Sequence, residues 1–311
     1  MRRALLVYNP VSGRYPSLLL AERAARVLGE HGWQLTIEQA QSGEHITRLA
    51  YQAAAQGLDA YFIAGGDGSI NLALEGLVGS NTALGVLPSG TANVWAQELG
   101  LPGLSWTRWS ALEESARRLA DAEVFSVDAG SCNGKPFLLW AGIGLDAFIV
   151  HHIEPRSPWE KHFAAVHYAA SAAWNASFWH GMNLRVEVER QEVSGHFLLA
   201  LVSNIHLYIG GMAEISPDAR LDDGVMDLWL FKGETLGDTV QLMWDLISGR
   251  HLQSDQVFRR SIQSVTMNSD SDLYLQMDGE PVYANRPFEI KVLQKALRVL
   301  VPSQTPRSLF F

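Results

Sequence analysis

Residues 59–71 read Asp59-Ala60-Tyr61-Phe62-Ile63-Ala64-Gly65-Gly66-Asp67-Gly68-Ser69-Ile70-Asn71, an apolar run of strand length that breaks on glycines and resumes as a helix. A junction of this kind brings main-chain N–H groups together at a point. The helix that follows adds the partial positive charge of its N-terminus, so the junction suits phosphate oxygens. An acidic residue inside it is out of place unless a cation stands between the two negative groups. Asp67 therefore reads as a group acting on nucleotide-bound Mg2+, directly or through water. Taken alone, Gly65-Gly66-Asp67-Gly68 reads equally well as a tight turn.

The neighbouring sequence favours the phosphate reading. Toward the N-terminus, Ala4–Tyr8 is a strand, and Ser17–His31 a helix with Leu20, Ala24, Val27 and Leu28 on one face. Gln34–Glu38 is a second strand and Glu44–Gln56 a second helix. On the other side lie a helix over Ile70–Val78 and the strand Leu84–Leu87. Strand and helix in alternation give a parallel sheet with helices on its faces. Two more strands end on small polar residues, at Asn9-Pro10-Val11-Ser12-Gly13 and at Pro88-Ser89-Gly90-Thr91-Ala92-Asn93. Ligands of open parallel sheets bind beyond the carboxyl ends of the strands, so the three loops describe one phosphate-binding crevice. No Gly-Lys-Ser/Thr loop and no protein-kinase glycine loop is present, so the crevice is of another design.

Past about Asp128 the rhythm changes to a period of two. Leu184–Arg190 and Met226–Leu230 alternate, and His196–Ser203, Val257–Met267, Leu273–Met277 and Phe288–Leu293 are further strands. The expected architecture is α/β followed by β. A parallel-sheet nucleotide domain covers residues 1–128 and is completed by 297–311. An antiparallel β-sandwich covers 129–296, with the active site in the cleft between the two domains.

Composition narrows the function classes. The chain has 311 residues, 47% of them hydrophobic and 18% charged, with a formal net charge of −9. Neither wrapping nucleic acid nor electrostatic docking on an anionic membrane fits that balance. Cys132 is the only cysteine, which excludes an intrachain disulfide and a zinc–cysteine site. No long apolar segment or cleavage signal follows the N-terminus, and the run His162–Leu184 is too polar to span a bilayer. His151-His152 reads as solvated. The expectation is a cytoplasmic protein, for which any contact with a membrane is peripheral.

At this point the chain resembles the bacterial diacylglycerol kinase and lipid kinase family, related to sphingosine and ceramide kinases and close in fold to NAD kinase. The three loops carry the resemblance together with Gly142–Ala147, Gly210-Gly211-Met212, Ser216–Ala219, Leu221–Asp227 and Asp278-Gly279-Glu280. It implies that Gly66, Asp67, Gly68, Ser69, Ile70, Asn71 and Thr91 contact ATP, within loops completed by Asn9, Gly65, Gly90 and Asn93. Glu280 matches the catalytic carboxylate that takes the proton from a lipid hydroxyl. Asp223, with the main-chain carbonyls of Arg220 and Val225, matches a structural Mg2+ site. The residues alone leave other readings open, namely a solvated acidic turn for Asp222, Asp223 and Asp227 and an exposed Asp-Gly hairpin for Glu280.

The sequence departs from the pattern at two positions. Leu72 stands where the family often has Glu, and Val94 where its diacylglycerol kinase members have Asp, which leaves open a different lipid or reduced activity. For the lipid side, Phe163, His167, Ala170, Trp174 and Phe178 form a stripe at helical spacing with Trp159 and Trp179 at its ends. That stripe reads either as core or as a face for acyl chains or a bilayer. The rival readings of the whole are an NAD kinase and a lipid- or nucleotide-binding regulator without turnover.

Overall fold

The computed structural model describes residues 1–13, 17–105, 107–153, 179–189, 191–270 and 272–311, and the chain divides into two compact units. One comprises Met1–Ala129, Arg220–Asp223 and Gln294–Phe311. The other comprises Gly130–Ala219 and Gly224–Leu293.

The first unit is built on β1 (Arg2–Tyr8), α1 (Ser17–Glu30), β2 (Trp33–Gln39), α2 (Gly43–Ala55), β3 (Ala60–Gly65), α3 (Asp67–Leu77) and β4 (Ala83–Pro88). The strands run parallel in the order β4-β3-β1-β2. Every residue of β3 and β4 is buried, as a parallel sheet covered on both faces requires. A short helix α4 (Val94–Glu98) and a longer α5 (Ala111–Ala120) follow. Three hydrogen bonds fasten the later chain to this unit. The Asp128 N–H donates to the Leu221 carbonyl at 2.6 Å, the Leu221 N–H to the Leu309 carbonyl at 2.8 Å, and the Phe311 N–H to Asp222 Oδ1 at 2.6 Å.

In the second unit the strands are antiparallel. The chain enters it at Gly130 within β5 (Glu123–Cys132) and runs through β6 (Lys135–Phe137), β7 (Trp140–Gly144), α6 (Leu145–Ile153), β8 (Met182–Val188) and β9 (Gln191–Ser203). Then come β10 (Leu207–Tyr208), β11 (Ala213–Glu214), β12 (Met226–Lys232), α7 (Leu236–Ser248), β13 (Val257–Ile262) and β14 (Ser264–Asn268). The last strands are β15 (Leu275–Met277), β16 (Glu280–Val282) and β17 (Phe288–Val301), whose end pairs in parallel with β4 at Val299–Leu84 inside the first unit. The period of two is borne out along β8, where buried and exposed residues alternate throughout. The fold is thus a parallel α/β unit and a β-sandwich unit.

Some local expectations need correction. The run Val257–Met267 is two strands, because Gln263 separates β13 from β14. Helices α5 and α7 appear where no helix was expected. Trp159, Phe163, His167, Ala170, Trp174 and Phe178 lie outside the described residues. Trp179 is described, and it belongs to the core. It is buried, donates its indole N–H to the Leu198 carbonyl at 2.9 Å and meets the Phe148 ring at 5.1 Å. His151 is half-buried rather than solvated, with Nε2 2.8 Å from the Leu275 carbonyl.

Candidate active site

The three glycine loops converge at the carboxyl ends of β1, β3 and β4. The Asn9 amide donates from Nδ2 to Ser69 Oγ at 2.9 Å, joining the first loop to the first turn of α3, while its Oδ1 accepts the Val11 N–H at 3.1 Å. The Ser89 N–H donates to the Gly65 carbonyl at 3.1 Å, joining the second loop to the third. Asn93, left-handed at φ 53, folds the third loop back on itself. Its Oδ1 accepts the Gly90 N–H at 2.8 Å and its Nδ2 donates to the Gly90 carbonyl at 2.9 Å. Contact is tight enough to demand glycine. A Cβ on Gly13, whose φ is +74, would lie 1.9 Å from the Ser89 carbonyl oxygen.

Asp67 sits at the centre of this arrangement. It is the first residue of α3, and its two carboxylate oxygens accept the N–H groups of Val94 at 3.0 Å and Trp95 at 3.1 Å. The side chain therefore caps α4 and ties the Gly65–Ser69 loop to the Pro88–Asn93 loop. Burial pushes its carboxyl pKa up, and the Val94 and Trp95 amides, with those of Asp67 and Asn93, pull it back toward the ionised form. Val94 and Trp95 thus take one hydrogen bond on each carboxylate oxygen. Gly66, at the N-cap of α3, supplies no side-chain cap, which leaves the positive end of that helix to a ligand. Gly66 and Gly68 are half-buried, Ser69 and Ile70 buried, and Thr91 and Ala92 exposed at the rim.

The two departures now have structural explanations. The Leu72 side chain covers Gly43 of α2, where a Cβ would meet Leu72 Cδ1 at 3.1 Å, and its carbonyl accepts the Thr47 hydroxyl at 2.8 Å. Position 72 packs helix on helix. Val94 buries its side chain and contributes only its N–H, to Asp67.

In the second unit, Glu280 opens β16, directly after a two-residue turn with φ 52 at Asp278 and 83 at Gly279. Positive φ at both turn positions is the type I′ hairpin geometry that Asp-Gly favours. The Asp278 side chain is buried, and its carboxylate accepts the N–H groups of Leu138, Leu139 and Trp140 at 2.9, 2.8 and 3.2 Å. The turn that presents the exposed Glu280 is thereby fixed to the start of β7.

A second, half-buried acid supports the same hairpin. Asp146, which had no role in the sequence reading, accepts the Gln276 amide at 2.7 Å, the Tyr208 hydroxyl at 3.1 Å and the Ala147 N–H at 2.7 Å. Gln276 Oε1 in turn accepts the Gly279 N–H at 2.8 Å. Burial pushes the Asp146 carboxyl up to about 6 against these donors.

The acidic run 222–227 separates into three roles. Asp222 anchors the C-terminus through Phe311. Asp227 is buried between Arg259 at 3.1 Å and Ser261 Oγ at 2.9 Å. Asp223 remains at an exposed bend beside Gly224, whose φ is +80. Among the described residues no three His, Cys, Asp or Glu side chains gather as a metal cluster. A cation at Asp223 would have to draw on main-chain carbonyls.

Residues 3–131 match the family model described as the diacylglycerol kinase catalytic domain. Residues 141–301 match the YegS C-terminal NAD kinase beta sandwich-like domain. The chain belongs to the bacterial diacylglycerol kinase and lipid kinase family. Membership makes it a phosphotransferase of the lipid kinase class. It is 26% identical to the diacylglycerol kinase of Bacillus subtilis (strain 168), over 99% of each chain. It is 28% identical to the diacylglycerol kinase of Mycobacterium tuberculosis (strain H37Rv), over 94% of this lipid kinase and 93% of the other protein. A crystal structure of a diacylglycerol kinase from Bacillus anthracis str. Sterne shares the fold with a TM-score of 0.74, at 20% identity and 98% coverage of both chains.

Proposed function

We propose that this lipid kinase transfers the γ-phosphate of ATP to the hydroxyl of a diacylglycerol-like or sphingoid-like lipid. The observation that carries this reading is the Asp67 carboxylate joining two glycine loops at the open N-terminus of α3. Polyphosphate oxygens lie well against such a loop cluster, with the main chain of Gly66–Asn71 and Thr91 beneath them and Asn9, Gly90 and Asn93 holding the loops in place. Mg2+ bound to the nucleotide would neutralise charge on the transferred group, and Asp67 would orient it. Glu280 accepts the proton as the lipid hydroxyl oxygen bonds to the γ-phosphorus. The bond from that phosphorus to the β–γ bridging oxygen breaks, and ADP leaves. Asp278 and Gln276 hold the hairpin from which Glu280 acts.

By the family resemblance, Asp223 and the main-chain carbonyls of Arg220 and Val225 would supply hard oxygen ligands of the kind Mg2+ takes. A Mg2+-dependent rise in Tm that Asp223→Ala abolishes is its test. The units divide the work accordingly, with the nucleotide on the first and the lipid on the second, at a transient membrane contact. The discriminating experiment is incubation with γ-labelled ATP and Mg2+, with total lipid extract or NAD as acceptor. Label in an organic-phase product supports the reading. Label on NAD would make the protein an NAD kinase, and label in neither acceptor would make it a binding protein.

A further inference from the structure

Helix α7 carries four exposed apolar side chains on one side, Leu236 at 51%, Val240 at 62%, Trp244 at 58% and Ile247 at 54% exposure. At 100° per residue they fall within about 80° of arc. The buried residues Thr239, Leu242 and Leu246 take the opposite side. The helix has two charges, Asp238 and Asp245, and both lie about 100° or more beyond the edge of the apolar stripe. The helix is also firmly terminated. Thr235 and Asp238 form a reciprocal capping box, and Gly249 closes the other end in the left-handed conformation. The stripe is thus presented by an ordered element.

We propose that this face of α7 seats the protein on a bilayer surface by inserting its apolar stripe into the boundary between headgroups and acyl chains. The proposal rests on the lipid-acceptor reading, because such an acceptor offers its hydroxyl at that boundary. Area argues for a bilayer over a second copy of the chain. Four half-exposed side chains offer roughly 300–400 Å², about half of what each partner of a stable protein–protein interface buries. A reversible membrane contact needs only such a narrow stripe. Charge points the same way. The helix holds no Lys or Arg and the chain carries a net −9, so the attraction is apolar and an uncharged lipid surface is its match. The Trp244 indole, with an apolar body and a single N–H donor, suits a boundary that is wet on one side.

The test is flotation with phosphatidylcholine vesicles, without ATP, at about 0.1 and about 1 M NaCl. Wild type should float with the vesicles at both salt concentrations. Val240→Ser combined with Trp244→Ser, and separately Ile247→Glu, should lower the partition coefficient at least tenfold with Tm unchanged. Variants that float like wild type overturn the proposal, as does wild-type binding that disappears at high salt. A wild-type dimer that the variants split, with no flotation of either, would show instead that the face joins two copies. Flotation lost in the variants stands even if no lipid is phosphorylated, so the docking face and the kinase reading fail separately.

Discussion

Gly66 and Gly90 stand so close that a Cβ on Gly90 would lie 2.5 Å from the Gly66 Cα. Neither is replaceable without separating the two loops, because the atoms in the way are backbone. Gly90→Ala is expected to weaken ATP binding at least tenfold, measured by calorimetry, and to cost about 1–3 kcal/mol of stability. Unchanged affinity would show that the two loops do not share a ligand.

Asp67 has two tasks in this structure, tying the loops and facing the nucleotide, so its substitution should register in two measurements. In Asp67→Asn one oxygen becomes an NH2 group that points at an amide donor from Val94 or Trp95. The expected outcome is a lower Tm together with a loss of at least about 10²-fold in kcat/KM. A variant that loses stability and keeps its turnover would leave Asp67 a structural cap alone.

Much of the first unit was legible because β1, β3 and β4 run into loops rich in glycine, serine and asparagine, and those residues mark turns locally. The same clarity extended to the Asp278-Gly279 turn. What the sequence did not disclose are pairings between distant positions, such as Asp67 with Val94, Asp146 with Gln276 and Asp278 with Leu139. No local periodicity encodes them. Helix α7 escaped notice because Met226–Leu230, just before it, alternates with a period of two. Its own pattern has Leu on both the buried and the exposed sides, so no single apolar face stands out against a polar one. Trp179 could be read as core or as lipid-facing for a related reason, since spacing alone cannot say which side of an aromatic stripe meets the core.

Asp146 gives a pH dependence whose sign follows from burial. Its carboxyl titrates at about 6 in the folded protein against an ordinary value of 3.8, so the native state keeps a proton that the unfolded chain has already lost. Stability from this group is therefore greatest at low pH and falls as pH rises from about 4 to 6, by about 3 kcal/mol at most. Asp146→Asn cannot ionise. Relative to wild type, the variant should gain stability between pH 4 and pH 7 in urea unfolding. A difference that does not change with pH would mean that Asp146 is already ionised at pH 4.

Glu280 is where the proposed chemistry is concentrated, and its replacement by Gln removes the base while preserving shape. With γ-labelled ATP, Mg2+ and total lipid extract, wild type should move label into a phosphorylated lipid. Glu280→Gln should do so at least about 10²-fold more slowly, with its affinity for ATP unchanged. Label that stays in the aqueous phase with wild type, or a Glu280→Gln enzyme as fast as wild type, would contradict the account.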